Sequence, residues 1–147
     1  MIKKFTEISK SELEQLMMIW LESNKGAHPF IQESYWLNHV EMVKELLPQS
    51  DVFIFQEAGV IVGFMGVMDG YIAGIFVQES GRKKGIGSRL LKSAKTLYSV
   101  LSLDVYQKNQ LAYHFYLKQG FQVISEGLDE ENNEVEYHMV WQSDLVE

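Results

Sequence analysis

The sequence predicts an α/β fold of the α+β kind, with one mixed central sheet and the element order βααβββαβαββ. Three observations carry that prediction. Apolar residues recur at helical spacing over residues 13–47; three β-rich runs joined by tight turns occupy residues 51–77; amphipathic helices then alternate with short apolar strands. With 147 residues and no linker, internal repeat or low-complexity tract, the chain reads as a single domain, residues 1–147.

The elements follow in order. "IKKF" opens as a short strand, and Ser9 with Glu12 makes a capping-box pattern ahead of Leu13, Leu16, Met17, Trp20 and Leu21. That spacing predicts a first helix to about Ser23. Gly26 and Pro29 break "NKGAHPFI", and a second helix over residues 32–47 runs until Pro48, which lacks the N–H to continue it. Residues 51–56 and 60–68 read as a hairpin around Ala58-Gly59, and residues 71–77 add a third strand after Asp69-Gly70. Farther on, Ile86, Leu90, Ala94, Leu97 and Leu101 fall on one stripe, with Arg89, Lys92, Ser93 and Lys95 outside it, as on a helix lying on a sheet. "LSLDVY" is a strand, "NQLAYHFYLKQG" a helix ended by Gly120, and "FQVISEGL" with "EVEYHMVWQ" the last hairpin.

Composition narrows the chemistry. The absence of cysteine excludes disulfides, thiolate catalysis and cysteine-ligated zinc. No run approaches the ~18 apolar residues of a membrane span, and the N-terminal segment meets acidic residues before any apolar stretch. A cytoplasmic location without a membrane partner is the expectation. A net charge of −7 argues against a nucleic-acid partner, because phosphate contacts need a basic face. The charge is uneven, however: Arg82, Lys83, Lys84, Arg89, Lys92 and Lys95 lie in an acid-free stretch between Glu79 and Asp104.

That stretch contains R-x-x-G-x-G, residues 82–87, between the strand "GIFV" and an amphipathic helix. The first turn of a helix offers unpaired N–H groups with partial positive charge, and glycines let a ligand approach the backbone. Two familiar phosphate loops do not fit: G-x-G-x-x-G fails at Leu90 and G-x-x-x-x-G-K-[ST] fails at Ile86. An anion seat and a charged strand-to-helix turn both remain open on these residues alone.

A second pattern lies downstream, Asn109, Ala112, Phe115, Tyr116, Gly120 and Phe121 in "NQLAYHFYLKQGF". With Ile75-Phe76-Val77 and the loop that follows, in this element order, the chain resembles the GNAT superfamily of acyl-CoA-dependent N-acyltransferases over nearly its whole length. The resemblance implies a sheet splayed between strands 4 and 5, with acetyl-CoA in the opening. Backbone groups of Ile75, Phe76 and Val77 would pair with the pantetheine arm like an added strand. Those of Arg82, Lys83, Lys84, Gly85, Ile86, Gly87 and Ser88 would hold the pyrophosphate, with Lys83 and Lys84 available to the adenosine phosphates. Asn109 would tie down the arm, and Tyr116 would stand near the sulfur as general acid.

The implied reaction is direct transfer of the acetyl group, in a ternary complex, to a primary amine of a small molecule or peptide. Such an amine, with pKa about 10, is neutral in only about one molecule in a thousand at pH 7, so a route for its proton is required. A phenol stays protonated at neutral pH, which suits Tyr116 to the departing thiolate. His28, in the loop between the first two helices, is the leading candidate base because its ordinary pKa lies near neutrality. His138 comes next, then Asp69 and Tyr71, whereas His39, His114 and Tyr113 read as ordinary helix residues. No metal is required. Phe30, Tyr35, Trp36, Met17, Met18 and Trp20 form an aromatic, methionine-rich zone that core packing largely explains, with some members available to an acceptor pocket. The expected assembly is a monomer or homodimer. A non-catalytic acetyl-CoA-binding regulatory module is the competing reading, and a plain α/β scaffold the third; retention of Tyr116 favours the enzyme.

Overall fold

The first helix begins as its sequence pattern requires. In the computed structural model, which describes residues 1–81 and 84–144 with the side chain of Ser80 excepted, Ser9 Oγ accepts from the Glu12 N–H at 3.1 Å. Glu12 Oε1 accepts from the Ser9 N–H at 2.9 Å, so both halves of the capping box are made. The helix α1, Lys10–Ala27, passes the expected end at Ser23. Asn24 turns its amide inward onto the Trp20 carbonyl at 2.9 Å, which lets a polar residue stay buried in the last turn.

The expected second helix is two, α2 (Glu33–Asn38) and α3 (Val40–Leu46). The cause is His39. Its ring Nδ1–H donates to the Tyr35 carbonyl at 2.6 Å, the acceptor its own backbone N–H would use, and that N–H bonds Trp36 O instead. Pro48 sits in a short 3-10 turn, Leu47–Gln49.

Among the described residues seven strands form one sheet: β1 (Ile2–Lys4), β2 (Asp51–Glu57), β3 (Val60–Met68), β4 (Tyr71–Val77), β5 (Val100–Tyr106), β6 (Gln122–Asp129) and β7 (Glu134–Gln142). Their spatial order is β1-β2-β3-β4-β5-β7-β6, antiparallel except for β4 against β5. Both predicted tight turns hold left-handed residue pairs, Ala58-Gly59 at φ 51° and 79°, and Asp69-Gly70 at φ 52° and 82°. Helices α4 (Ile86–Lys95) and α5 (Gln110–Lys118) cover one face, where Phe53, Met65, Ile72, Leu90, Leu91, Leu101, Leu103 and Met139 form a core. Helices α1 to α3 cover the other over Val52, Ile54 and Phe64. Leu97 leaves the predicted stripe, since α4 ends at Lys95, and it is exposed. Among the described residues no helix is long and apolar enough to cross a membrane.

The splay is present. Strands β4 and β5 share one pair, Tyr71 opposite Ser102, with the Ser102 N–H on Gly70 O at 2.9 Å. Gly66 lies opposite Gly74 but Val67 lies opposite Ile72, so Ala73 is an extra residue in β4. Such a bulge bends and twists its strand, and here it turns β4 away from β5 just past their single pair.

Candidate active site

A cleft of about 990 Å³ opens where the two strands part, lined among others by Ile75, Phe76, Val77, Gly85, Ile86, Gly87, Ser88, Asn109, Tyr116 and His28. Ten of the sequence-predicted residues are thus brought to one cavity. Lys84 is described only as exposed in the turn before α4, and Arg82 and Lys83 lie outside the described residues.

The β5-facing edge of β4 from Ile72 to Phe76 has no strand partner among the described residues. The Val77 carbonyl accepts from Ser23 Oγ of α1 at 3.4 Å. Beyond it, Gly85 takes φ 76° as N-cap of α4, and no side chain caps the helix. The N–H groups of Ile86, Gly87 and Ser88 precede the first intrahelical bond, from the Arg89 N–H to Gly85 O at 3.1 Å. A Cβ built on Gly85 would meet nothing within 4 Å, so the backbone there faces open space. The Ser88 hydroxyl is already used, accepting from Gln119 Nε2 at 2.9 Å. This edge and helix start fit an extended chain that ends in an anion.

Asn109 caps α5, its Oδ1 accepting from the Ala112 N–H at 3.3 Å. Its Nδ2 then faces His28 Nε2 at 3.2 Å. On the other side of the ring, Nδ1 lies 3.0 Å from the carbonyl of Asn24, which can only accept. His28 Nδ1 therefore carries the proton, and Nε2 accepts from Asn109. The ring stacks on Trp36 with centroids 5.1 Å apart and meets Phe30 and Tyr106 edge-on, and this burial holds its pKa below the ordinary value. His28 is neutral, with both nitrogens engaged.

Tyr116 is 7% exposed, on the α4–α5 face of the sheet, and burial raises its phenol well above the usual range. A phenol so placed keeps its proton throughout the neutral range.

Sequence reasoning missed the acids. In β5, Leu101, Leu103 and Val105 enter the α4–α5 core, so Ser102, Asp104 and Tyr106 point to the opposite face. Asp104 Oδ2 accepts from the Tyr71 hydroxyl at 2.8 Å, and Asp104 Oδ1 lies 3.0 Å from Nδ1 of His138, the residue opposite it in β7. Glu136, opposite Tyr106, also lines the cleft; burial, then Asp104 and Asp129, raise its pKa. Tyr71 and His138, both secondary candidates from sequence, are joined by a residue that sequence did not single out. Asp69 does not line the cleft, while Trp20 and Trp36 do, and Met18 is exposed.

Comparison with known proteins gives this geometry its context. Residues 48–123 match a family model described as an acetyltransferase (GNAT) domain. The peptidyl-lysine N-acetyltransferase YiaC of Escherichia coli K12 is 34% identical over 137 residues, covering 92% of this chain and 94% of that protein. The peptidyl-lysine N-acetyltransferase YjaB of Salmonella typhimurium is 32% identical over 113 residues, 76% of this chain and 78% of that protein. Among solved structures, apo YjaB from Escherichia coli superposes with a TM-score of 0.80 at 24% identity, over 97% of this chain and 99% of that one. PaiA N-acetyltransferase from Thermoplasma acidophilum, in complex with coenzyme A, gives 0.78 at 20% identity over the same shares, a likeness of fold. Motifs, forked sheet and relatives agree, and the chain is a member of the GNAT acetyltransferase family.

Proposed function

We propose that this acyltransferase uses acetyl-CoA and moves the acetyl group to a primary amine, the lysine side chain of a peptide or protein first among them, by direct attack in a ternary complex. One observation carries the reading: the β4 edge from Ile72 to Phe76, without a strand partner among the described residues, leads to the start of α4, in the same cleft as Tyr116. Ile75, Phe76 and Val77 would line the arm, and the backbone from Gly85 to Ser88 would hold the pyrophosphate, with Lys84 in the turn before it. Bound acetyl-CoA supplies an acetyl thioester. Asn109 holds the cofactor arm, and His28 presets the Asn109 amide by accepting its N–H. Tyr116 donates its proton to the leaving sulfur, which keeps a thiolate from forming in an apolar pocket. The names of the curated relatives support a lysine acceptor, as do the carboxylates of Asp104 and Glu136 in the cleft. The degenerate-binder alternative is disfavoured by the retained Tyr116.

Calorimetry with acetyl-CoA, followed by a thiol-release assay on lysine peptides, polyamines and aminoglycosides, tests this reading. Binding and turnover of a lysine peptide are expected. Tyr116→Phe should lower kcat by about 10²–10⁴-fold with the KM for acetyl-CoA little changed. An unchanged kcat removes Tyr116 from the acid role.

A further inference from the structure

Two cations of the acid-free stretch, Arg89 and Lys92, lie past the loop of residues 82–88, and neither lines the cleft. They border a second groove, of about 530 Å³, which shares no lining residue with the cleft. Its floor comes from alternation in β2. Phe53 and Phe55 point to the α4 side of the sheet, paired with Lys4 and Ile2 of β1, whose three residues end the sheet there. Arg89, Lys92, Ser93 and Thr96 of the α4 flank border this edge, and Leu97, 60% exposed beyond the helix end, completes the wall. The Arg89 guanidinium lies 5.6 Å from the centroid of the Phe55 ring, and neither Arg89 nor Lys92 has a carboxylate partner among the described residues. Lys4 is held by Asp51 at 3.4 Å, and Asp51, which also accepts from the Tyr98 hydroxyl, does not line the groove. Residues three and four apart on a helix are neighbours, so Arg89 presents its charge beside Lys92 and the Ser93 hydroxyl. Thr96 Oγ1 is engaged by its own helix, donating to Ser93 O at 2.7 Å.

We propose that this groove is a second ligand site, separate from the acetyl-transfer cleft, and that it takes a small organic phosphate monoester with a ring-sized apolar body. The site stands independently of the function proposed above. Its volume lies in the range of small-molecule sites, about 300–1,000 Å³, and the net charge of −7 repels a polyanion from the surface around it. The apolar body lies on Phe53 and Phe55 against Ile2 and Leu97, where association removes hydrocarbon from water. A phosphate dianion matches the two cations. Its three terminal oxygens accept from the Arg89 guanidinium, the Lys92 ammonium and Ser93 Oγ together, whereas a carboxylate brings one charge and two oxygens. Helix α4 borders both cavities, with Ile86, Gly87 and Ser88 at the cleft and Arg89, Lys92 and Ser93 at the groove. A ligand in the groove therefore ties the helix that opens the cleft to the edge strand β1.

Calorimetry with 2-naphthyl phosphate tests the site, beside 2-naphthoate, 2-naphthol and inorganic phosphate, on wild type, Arg89→Ala, Lys92→Ala and Leu97→Asp. Wild type should bind one equivalent of 2-naphthyl phosphate with a Kd of about 10⁻⁴–10⁻³ M, with saturating acetyl-CoA failing to displace it. The carboxylate should bind about tenfold more weakly, and the neutral naphthol and bare phosphate more weakly still. Arg89→Ala and Lys92→Ala should each lose about tenfold in affinity for the naphthyl phosphate, and rising salt should weaken its binding to wild type. Leu97→Asp, which sets a negative charge in the wall, should lose at least as much. All three side chains are exposed, so the variants should keep the wild-type Tm without ligand. Unchanged affinity in both cation variants, equal affinity for 2-naphthoate, displacement by acetyl-CoA, or no binding of any probe to wild type overturns the proposal. Sedimentation showing a dimer that Arg89→Ala and Lys92→Ala dissociate would assign the groove to a second copy of the chain and overturn it too.

Discussion

Gly85 holds a backbone conformation that few other residues adopt. Its φ of 76° lies in the left-handed region, while a Cβ there would meet no atom within 4 Å. Gly85→Ala should therefore destabilise the protein by strain alone, about 1–2 kcal/mol in urea denaturation, and weaken acetyl-CoA binding where the backbone faces the cleft. This conformation was legible in the sequence, because a glycine between a strand and an amphipathic helix already implies an unusual backbone. That Tyr116 and Asn109 line one cleft was legible through their motif. Asp104 was not: "LSLDVY" shows an acid on a strand, but nothing local says that Tyr71, 33 residues earlier, and His138, 34 later, converge on it.

Local signals fixed element starts better than element ends. The capping box of α1 holds the Glu12 carboxyl below its ordinary pKa, chiefly through the Ser9 backbone N–H and then the Ser9 hydroxyl. Ser9→Ala should cost about 1 kcal/mol at pH 7. A carboxyl with a lowered folded pKa contributes its stability above the unfolded value of about 4.3 and loses it as pH falls, so part of the difference between the two proteins should disappear toward pH 3. Paired denaturation curves at the two pH values would show it. The break between α2 and α3 left no such signal, since His39 splits the helix with a side-chain bond that competes with its own backbone. Hairpin turns at Ala58-Gly59 and Asp69-Gly70 were readable, whereas the insertion of β7 between β5 and β6 depends on pairing across distant segments.

At the scale of the molecule, His28 ties the end of α1 to the start of α5 across the cleft, through Asn24 and Asn109. Burial keeps its folded pKa below the unfolded value of about 6.5. Its stability contribution is complete above that pH and declines as pH falls through the folded pKa. His28→Gln should thus be less stable than wild type at pH 7.5, with the gap narrowing toward pH 5 in matched urea titrations. Under the proposed function its effect on catalysis should appear as a raised KM for acetyl-CoA rather than a changed pH profile, because there its partner Asn109 is assigned to the cofactor arm.

The single pair between β4 and β5 also bears on motion. Strands β1 to β4 and strands β5, β7 and β6 form two well-laddered rafts, each with its own antiparallel bonds, and among the described residues their ladders meet at one pair, Tyr71 opposite Ser102. Amide hydrogen exchange should therefore resolve two protection classes in the free protein, with amides beside the join exchanging fastest among sheet residues. A ligand lying along β4 would act as a missing rung, and on its addition the two rafts should come to open as one cooperative unit.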